Sequence, residues 1–139
     1  LMPDQKKYLA KKQYGGTIRL GQWPCQLIDA SLVSDSYRQA AKIYNYDYFK
    51  PKAGEFTVLE RHRHRYEFNN QYKDQLVGAG LIISGISPDG QLVEMVELPR
   101  NTHPFYVATQ AHPEYQSRIS SPHPLFLGLI QASLNQRNS

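Results

Sequence analysis

Residues 60–68 read ERHRHRYEF. From Arg61 to Arg65, arginine and histidine alternate without a break. A helix would spread these side chains around its girdle, whereas a strand sends every second one to the same face. The stretch therefore predicts a strand over 57–65, with His62 and His64 on one face and Arg61, Arg63 and Arg65 on the other. One face then packs and the other meets an anion. Two histidines on one strand face also have the spacing of a metal pair. No further ligand is read beside them, so no metal is expected.

Working outward, 81–87 (LIISGIS) and 91–98 (QLVEMVEL) read as strands joined by the turn SPDG at 87–90, with proline and glycine where a type I turn wants them. Residues 105–110 (FYVATQ) read as another strand, and 22–33 as an edge or irregular strand because it carries Pro24. Helices are predicted from about Asp35 to Tyr44, capped by Ser34 or Asp35, and from Asn69 or Asn70 to about Val77, ended by Gly78 or Gly80. An amphipathic helix is expected over 123–136, with Pro124 in its first turn. Residues 45–56 read as a loop. Strands in the middle with helices beside them imply an α/β domain with a mixed sheet and flanking helices.

The bulk properties narrow the function. The 139 residues suit one domain, and 40% hydrophobic with 20% charged is ordinary for a soluble protein. No apolar run approaches a membrane span, so no membrane partner is expected. The start is polar and basic, unlike a signal peptide. Cys25 is the only cysteine, which forbids an internal disulfide and fits a reducing cytoplasm. Its context, WPCQL, lacks the glycines of an exposed nucleophile elbow, so it reads as a packing residue. The charge of +4 is small enough for a solvated surface. Lysines at 6–12 and arginines at 61–65 lack an aromatic stacking platform, so no nucleic acid is expected. Residues 1–14 read as a mobile basic segment, and 15–21, GGTIRLG, as a glycine-hinged flap. Leu1 precedes Met2, so the chain is expected to be a piece of a longer polypeptide.

In QAHPEYQSR, 110–118, a strand end is followed by His112 and Glu114. At this spacing a carboxylate can fix an imidazole's tautomer and stabilise its cation, the base-and-orienter half of a nucleophilic triad. Alone, a His and a Glu at a strand end are more often solvated surface residues than a catalytic pair.

GGTIRLG, ERHRHRYEFNN, LVEMVELP and HPEYQSR…PHPLF, in that order, closely resemble the C-terminal part of the class I glutamine amidotransferase domain of the CTP synthases, over about residues 2–134. The resemblance implies a partial flavodoxin-like amidotransferase domain. It also implies a role in making CTP from UTP, ATP and glutamine. It makes His112 and Glu114 the last two members of a Cys-His-Glu glutaminase triad, and Arg65 the group that holds the carboxylate of L-glutamine. Thr17 and Arg19 match the lid through which GTP activates glutamine hydrolysis. ATP and Mg belong to the synthetase domain, and none is implied for this segment. The parent is implied to be a cytoplasmic homotetramer.

This chain departs from that pattern in lacking the nucleophile elbow and the synthetase domain. It is therefore expected to span 1–139 as the distal portion of the amidotransferase domain, with residues 1–21 as basic segment and lid, and to be inactive alone. The competing expectation is a non-catalytic module that responds to glutamine or GTP.

Overall fold

The computed structural model describes residues 18–137. The elements are β1 (Arg19–Leu27), α1 (Leu32–Ala41), β2 (Phe56–His64), α2 (Lys73–Gly78), β3 (Ile82–Ile86), β4 (Val93–Glu97), β5 (Val107–Thr109) and α3 (Pro124–Arg137). The strands form one sheet in the order β2-β1-β3-β4-β5. The α/β class stands. Its ladders, expected to be mixed, are all antiparallel among the described residues. The connections from β3 to β4 and from β4 to β5 are too short for the crossover that parallel pairing requires.

β1 and β2 are joined along their whole length, from Arg19↔His64 to Leu27↔Phe56. Pro24 is placed opposite Leu59. The Leu59 amide donates away from β1, to the Tyr48 carbonyl at 2.9 Å. This is therefore a pair without ladder bonds, and the missing amide of Pro24 costs β2 nothing. On its other side β1 meets β3 only at Gln26 and Leu27, past the proline.

The core lies between the sheet and α1. Leu27, Val33, Tyr37, Phe49, Phe56, Val58, Met95 and Leu125 are among its buried members. Residues 45–56 form a loop, but a packed one. Tyr46, Tyr48 and Phe49 are buried, and Tyr46 stacks on Phe49 with centroids 4.8 Å apart. Phe49 also bridges Val58 of β2.

Two of the helices differ from expectation for physical reasons. Helix α1 starts at Leu32, not near Asp35, because Ser31 is the N-cap and accepts from the Ser34 amide at 3.0 Å. The Glu97 carboxylate from β4 takes the next two orphan donors, the amides of Leu32 (2.8 Å) and Val33 (3.0 Å). Helix α3 is not amphipathic. It buries Pro124 and Leu125, yet Phe126, Leu129, Ile130 and Leu134 are exposed, because apolar residues fall on all its sides. The other punctuation is as expected. Asn69 caps the 3-10 turn Asn70–Tyr72 that leads into α2. Gly80, at φ 103, closes α2 with the Leu81 amide on the Leu76 carbonyl.

At Gly85 the β3–β4 register shifts. A Cβ there would lie 2.8 Å from the Cys25 sulfur and 3.1 Å from Met95 Cβ. Gly85→Ala is expected to destabilise the domain by about 1–3 kcal/mol through overpacking, seen as a lower unfolding midpoint. An unchanged midpoint would mean that the bulge relaxes freely.

Candidate active site

The His112 loop hangs from β2. Antiparallel pairing to β1 leaves the Leu59 and Arg61 backbone groups facing outward, an edge that needs partners. His112 donates its amide to the Arg61 carbonyl at 2.8 Å. The Gln116 side chain accepts from the Arg61 amide at 3.0 Å and donates to the Leu59 carbonyl at 2.9 Å. It acts as one rung of an added strand. Gln116 was not legible as a site residue, because nothing in its sequence context reveals the strand edge it fills. β5 feeds the loop from the other side, where the Gln110 amide donates to the Glu94 carbonyl at 2.9 Å.

Within the loop, His112 Nδ1 lies 2.7 Å from Glu114 Oε1. A carboxylate only accepts, so Nδ1 carries the proton and Nε2 is left as the basic nitrogen. Tyr115 stacks on the imidazole at 5.4 Å and 20°. Pro113, at the start of the 3-10 turn Pro113–Tyr115, sets the bend that lets the two side chains meet. The hydrogen bond from His112 holds the Glu114 carboxyl below its ordinary range. This pair's contribution is therefore fully present above the unfolded carboxyl pKa and is lost as pH falls through the lower folded value. In an NMR titration, Glu114 is expected to show a midpoint below that of an ordinary glutamate, returning toward normal in His112→Ala. Identical midpoints in the two proteins would contradict the pairing.

Arg65 follows directly on β2, exposed, one residue past the last rung of the ladder. It lies about 13 Å along the strand direction from Arg61, at about 3.3 Å per residue. The strand alternation is as read: His62 is buried, Arg61 and Arg63 are exposed. Arg61 and Arg63 line a cleft of about 1220 Å³ with Lys50, Arg118, Tyr46 and Tyr115. His112 and Glu114 are not in its wall. The two inward histidines face each other, His62 Nδ1 2.8 Å from His64 Nε2. Among the described residues, no three His, Cys, Asp or Glu side chains converge on a metal position.

Thr17 lies outside the described residues, as does most of the segment expected to be a basic arm and flap. At the described end of that segment, β1 begins at Arg19. Arg19 is buried and grips Glu94 through both terminal nitrogens, at 3.0 and 2.6 Å. Its guanidinium also lies over the Trp23 ring at 5.0 Å. Cys25 is fully buried in the core with its sulfur against Gly85, and burial pushes its thiol well above the ordinary value. No described helix is long and apolar enough to cross a membrane.

A strand-end imidazole, oriented by a carboxylate and open to solvent, has the geometry of a general base in an α/β enzyme. Residues 11–132 match the family model for glutamine amidotransferase class-I, and the chain belongs to that family. Within it, the chain is similar to CTP synthases. The chain is 54% identical over 137 residues to the CTP synthase of Acidothermus cellulolyticus, covering 98% of this chain and 22% of that protein. It is 49% identical over 138 residues to the CTP synthase of a Synechococcus species, covering 99% and 22%. Among solved structures, it matches a Trypanosoma brucei CTPS glutaminase domain with bound acivicin. The TM-score is 0.67 and identity 29%, with 85% of this chain and 40% of that one covered. The chain thus spans about a fifth of the length of the curated relatives it matches.

Proposed function

We propose that the chain is the distal part of the glutaminase domain of a CTP synthase, and that it supplies the His112–Glu114 half of a Cys-His-Glu triad. The 2.7 Å contact between His112 Nδ1 and Glu114 carries this reading. It leaves Nε2 free to take a proton from a cysteine thiol contributed by the rest of the domain. The thiolate attacks the amide carbon of glutamine. The imidazolium, stabilised by Glu114, returns its proton to the nitrogen, which leaves as ammonia. Nε2 then takes a proton from water, which attacks the thioester carbonyl carbon. Glutamate departs as the sulfur regains its proton.

Arg65 holds the glutamine carboxylate, for which a guanidinium fork is suited. Thr17 and Arg19 couple GTP binding to hydrolysis, Arg19 from the fixed end of that segment. ATP and Mg serve the synthetase domain of the parent. The donors described here do not form a magnesium site, and no step above passes through one. The parent works in the cytoplasm as a homotetramer. This chain alone does not hydrolyse glutamine, since its only cysteine is in the core.

The test is to treat the full-length protein with a diazo-ketone glutamine analogue and map the adduct. One adduct on a cysteine outside residues 1–139 is expected. An adduct on Cys25 would overturn the assignment, and no adduct would favour a binding module without turnover.

A further inference from the structure

Behind β2 lies a buried set of charges that the mechanism above does not use. Arg19, Glu67 and Glu94 have side chains only 1% exposed, and His62 and His64 lie among them. Removing two carboxylates and a guanidinium from water is costly. Among the described residues, Arg19 Nε, His62 Nε2 and both Glu67 oxygens find no hydrogen-bond partner. Such an arrangement is a poor way to hold a sheet together, and the β1–β2 ladder already does that as far as His64. The ladder stops one residue short of Arg65.

The cluster takes over at that point. His64 Nδ1 lies 2.9 Å from the Tyr66 carbonyl. A carbonyl only accepts, so this nitrogen carries the hydrogen. A neutral His64 then accepts at Nε2 from His62 Nδ1, at 2.8 Å. Burial, with Arg19 next in weight, lowers His62 to about 3, and burial also lowers His64. Both rings are therefore neutral at physiological pH, and the direction of the relay is fixed. One residue further along, Glu67 lies 3.5 Å from Arg19 and 3.8 Å from His64. The two residues that follow Arg65 are thus each anchored in the cluster, one by its carbonyl and one by its carboxylate.

We propose that this cluster positions Arg65 for substrate, with His64 and Glu67 as positioning residues, and that it joins Arg19 physically to the glutamine site. The proposal rests on the reading of Arg65 as the glutamine-carboxylate group. The deciding variants are two amides. Asparagine at 64 places its NH2 near where Nδ1 stands and keeps a donor for the Tyr66 carbonyl. Glutamine at 64 places it near Nε2 and does not.

In the full-length enzyme, His64→Gln is expected to raise KM for glutamine about tenfold, the scale of one lost positioning hydrogen bond. The kcat should stay within about twofold, and CTP formation from free ammonia should be unaffected. His64→Asn should restore KM to within about threefold of the parent. Equal KM values for the two variants would overturn the proposal, provided Arg65→Ala raises KM. If Arg65→Ala leaves KM unchanged, the reading of Arg65 is wrong and the proposal falls with it. Should His64→Gln also lose ammonia-dependent synthesis, Glu67→Gln leaves both histidines in place and is judged by its KM for glutamine: a rise supports the proposal, no change overturns it.

Discussion

Replacing His112 with alanine in the full-length enzyme is expected to lower glutamine-dependent CTP formation by roughly 10³-fold, within the 10²–10⁴ range of a lost general base. Formation from free ammonia should persist, since that route needs no glutaminase. His112 meets the rest of the molecule through its own amide, on the Arg61 carbonyl, and through its ring, on Glu114 and Tyr115. Alanine keeps the first and removes the second, so the loop should stay tied to β2 through its backbone and Gln116. Residual glutamine-dependent activity above a tenth of the parent's would place the base elsewhere. Glu114→Gln should cost less than His112→Ala. It leaves the base in place, but offers Nδ1 a weaker, uncharged acceptor and the imidazolium no counter-charge.

The alternation at 60–68 was legible because strand geometry translates directly into sides. Its histidines turn inward and Arg61 and Arg63 outward. Asn69, Gly80 and the SPDG turn were legible for a similar reason. Each acts on its own backbone neighbours, within a few residues. What could not be read acts over distance. The start of α1, capped locally by Ser31, is completed by Glu97, more than sixty residues away. The apparent flap residue Arg19 is fixed by Glu94, seventy-five residues on. That partner lies in another strand, out of reach of any local pattern. His112 and Glu114 fall between these extremes. Their spacing permits the contact, but the strand edge that presents them is built from Leu59 and Arg61. The resemblance, not the spacing, singled them out.

Glu60→Ala is expected to have the largest effect on stability, about 2–6 kcal/mol, since it leaves two buried donors unsatisfied at about 1–3 kcal/mol each. The Glu60 carboxylate is fully buried and receives the Tyr37 hydroxyl at 2.5 Å. His123 Nε2 lies 3.2 Å from the same oxygen. His123 Nδ1 accepts the Leu125 amide at 3.3 Å, so the ring proton is on Nε2 and points at Glu60. Burial, then the Glu60 charge, pushes the Tyr37 phenol well above its ordinary value, so it stays a donor. Alanine would strand both donors in the core, which costs more than the bonds themselves contribute. Tyr37→Phe removes a donor and leaves the carboxylate its histidine, at a cost of about 1–3 kcal/mol. Because the groups share one carboxylate, Tyr37→Phe with Glu60→Ala should cost less than the sum of the two. Thermal unfolding of the single and double variants measures this directly. Strict additivity would mean that the three groups are packed together but not coupled. The consequence reaches the site, since Glu60 precedes Arg61, whose carbonyl and amide carry the His112 loop. In the full-length enzyme, glutamine-dependent activity of Glu60→Ala should therefore fall on warming before the bulk of the protein unfolds.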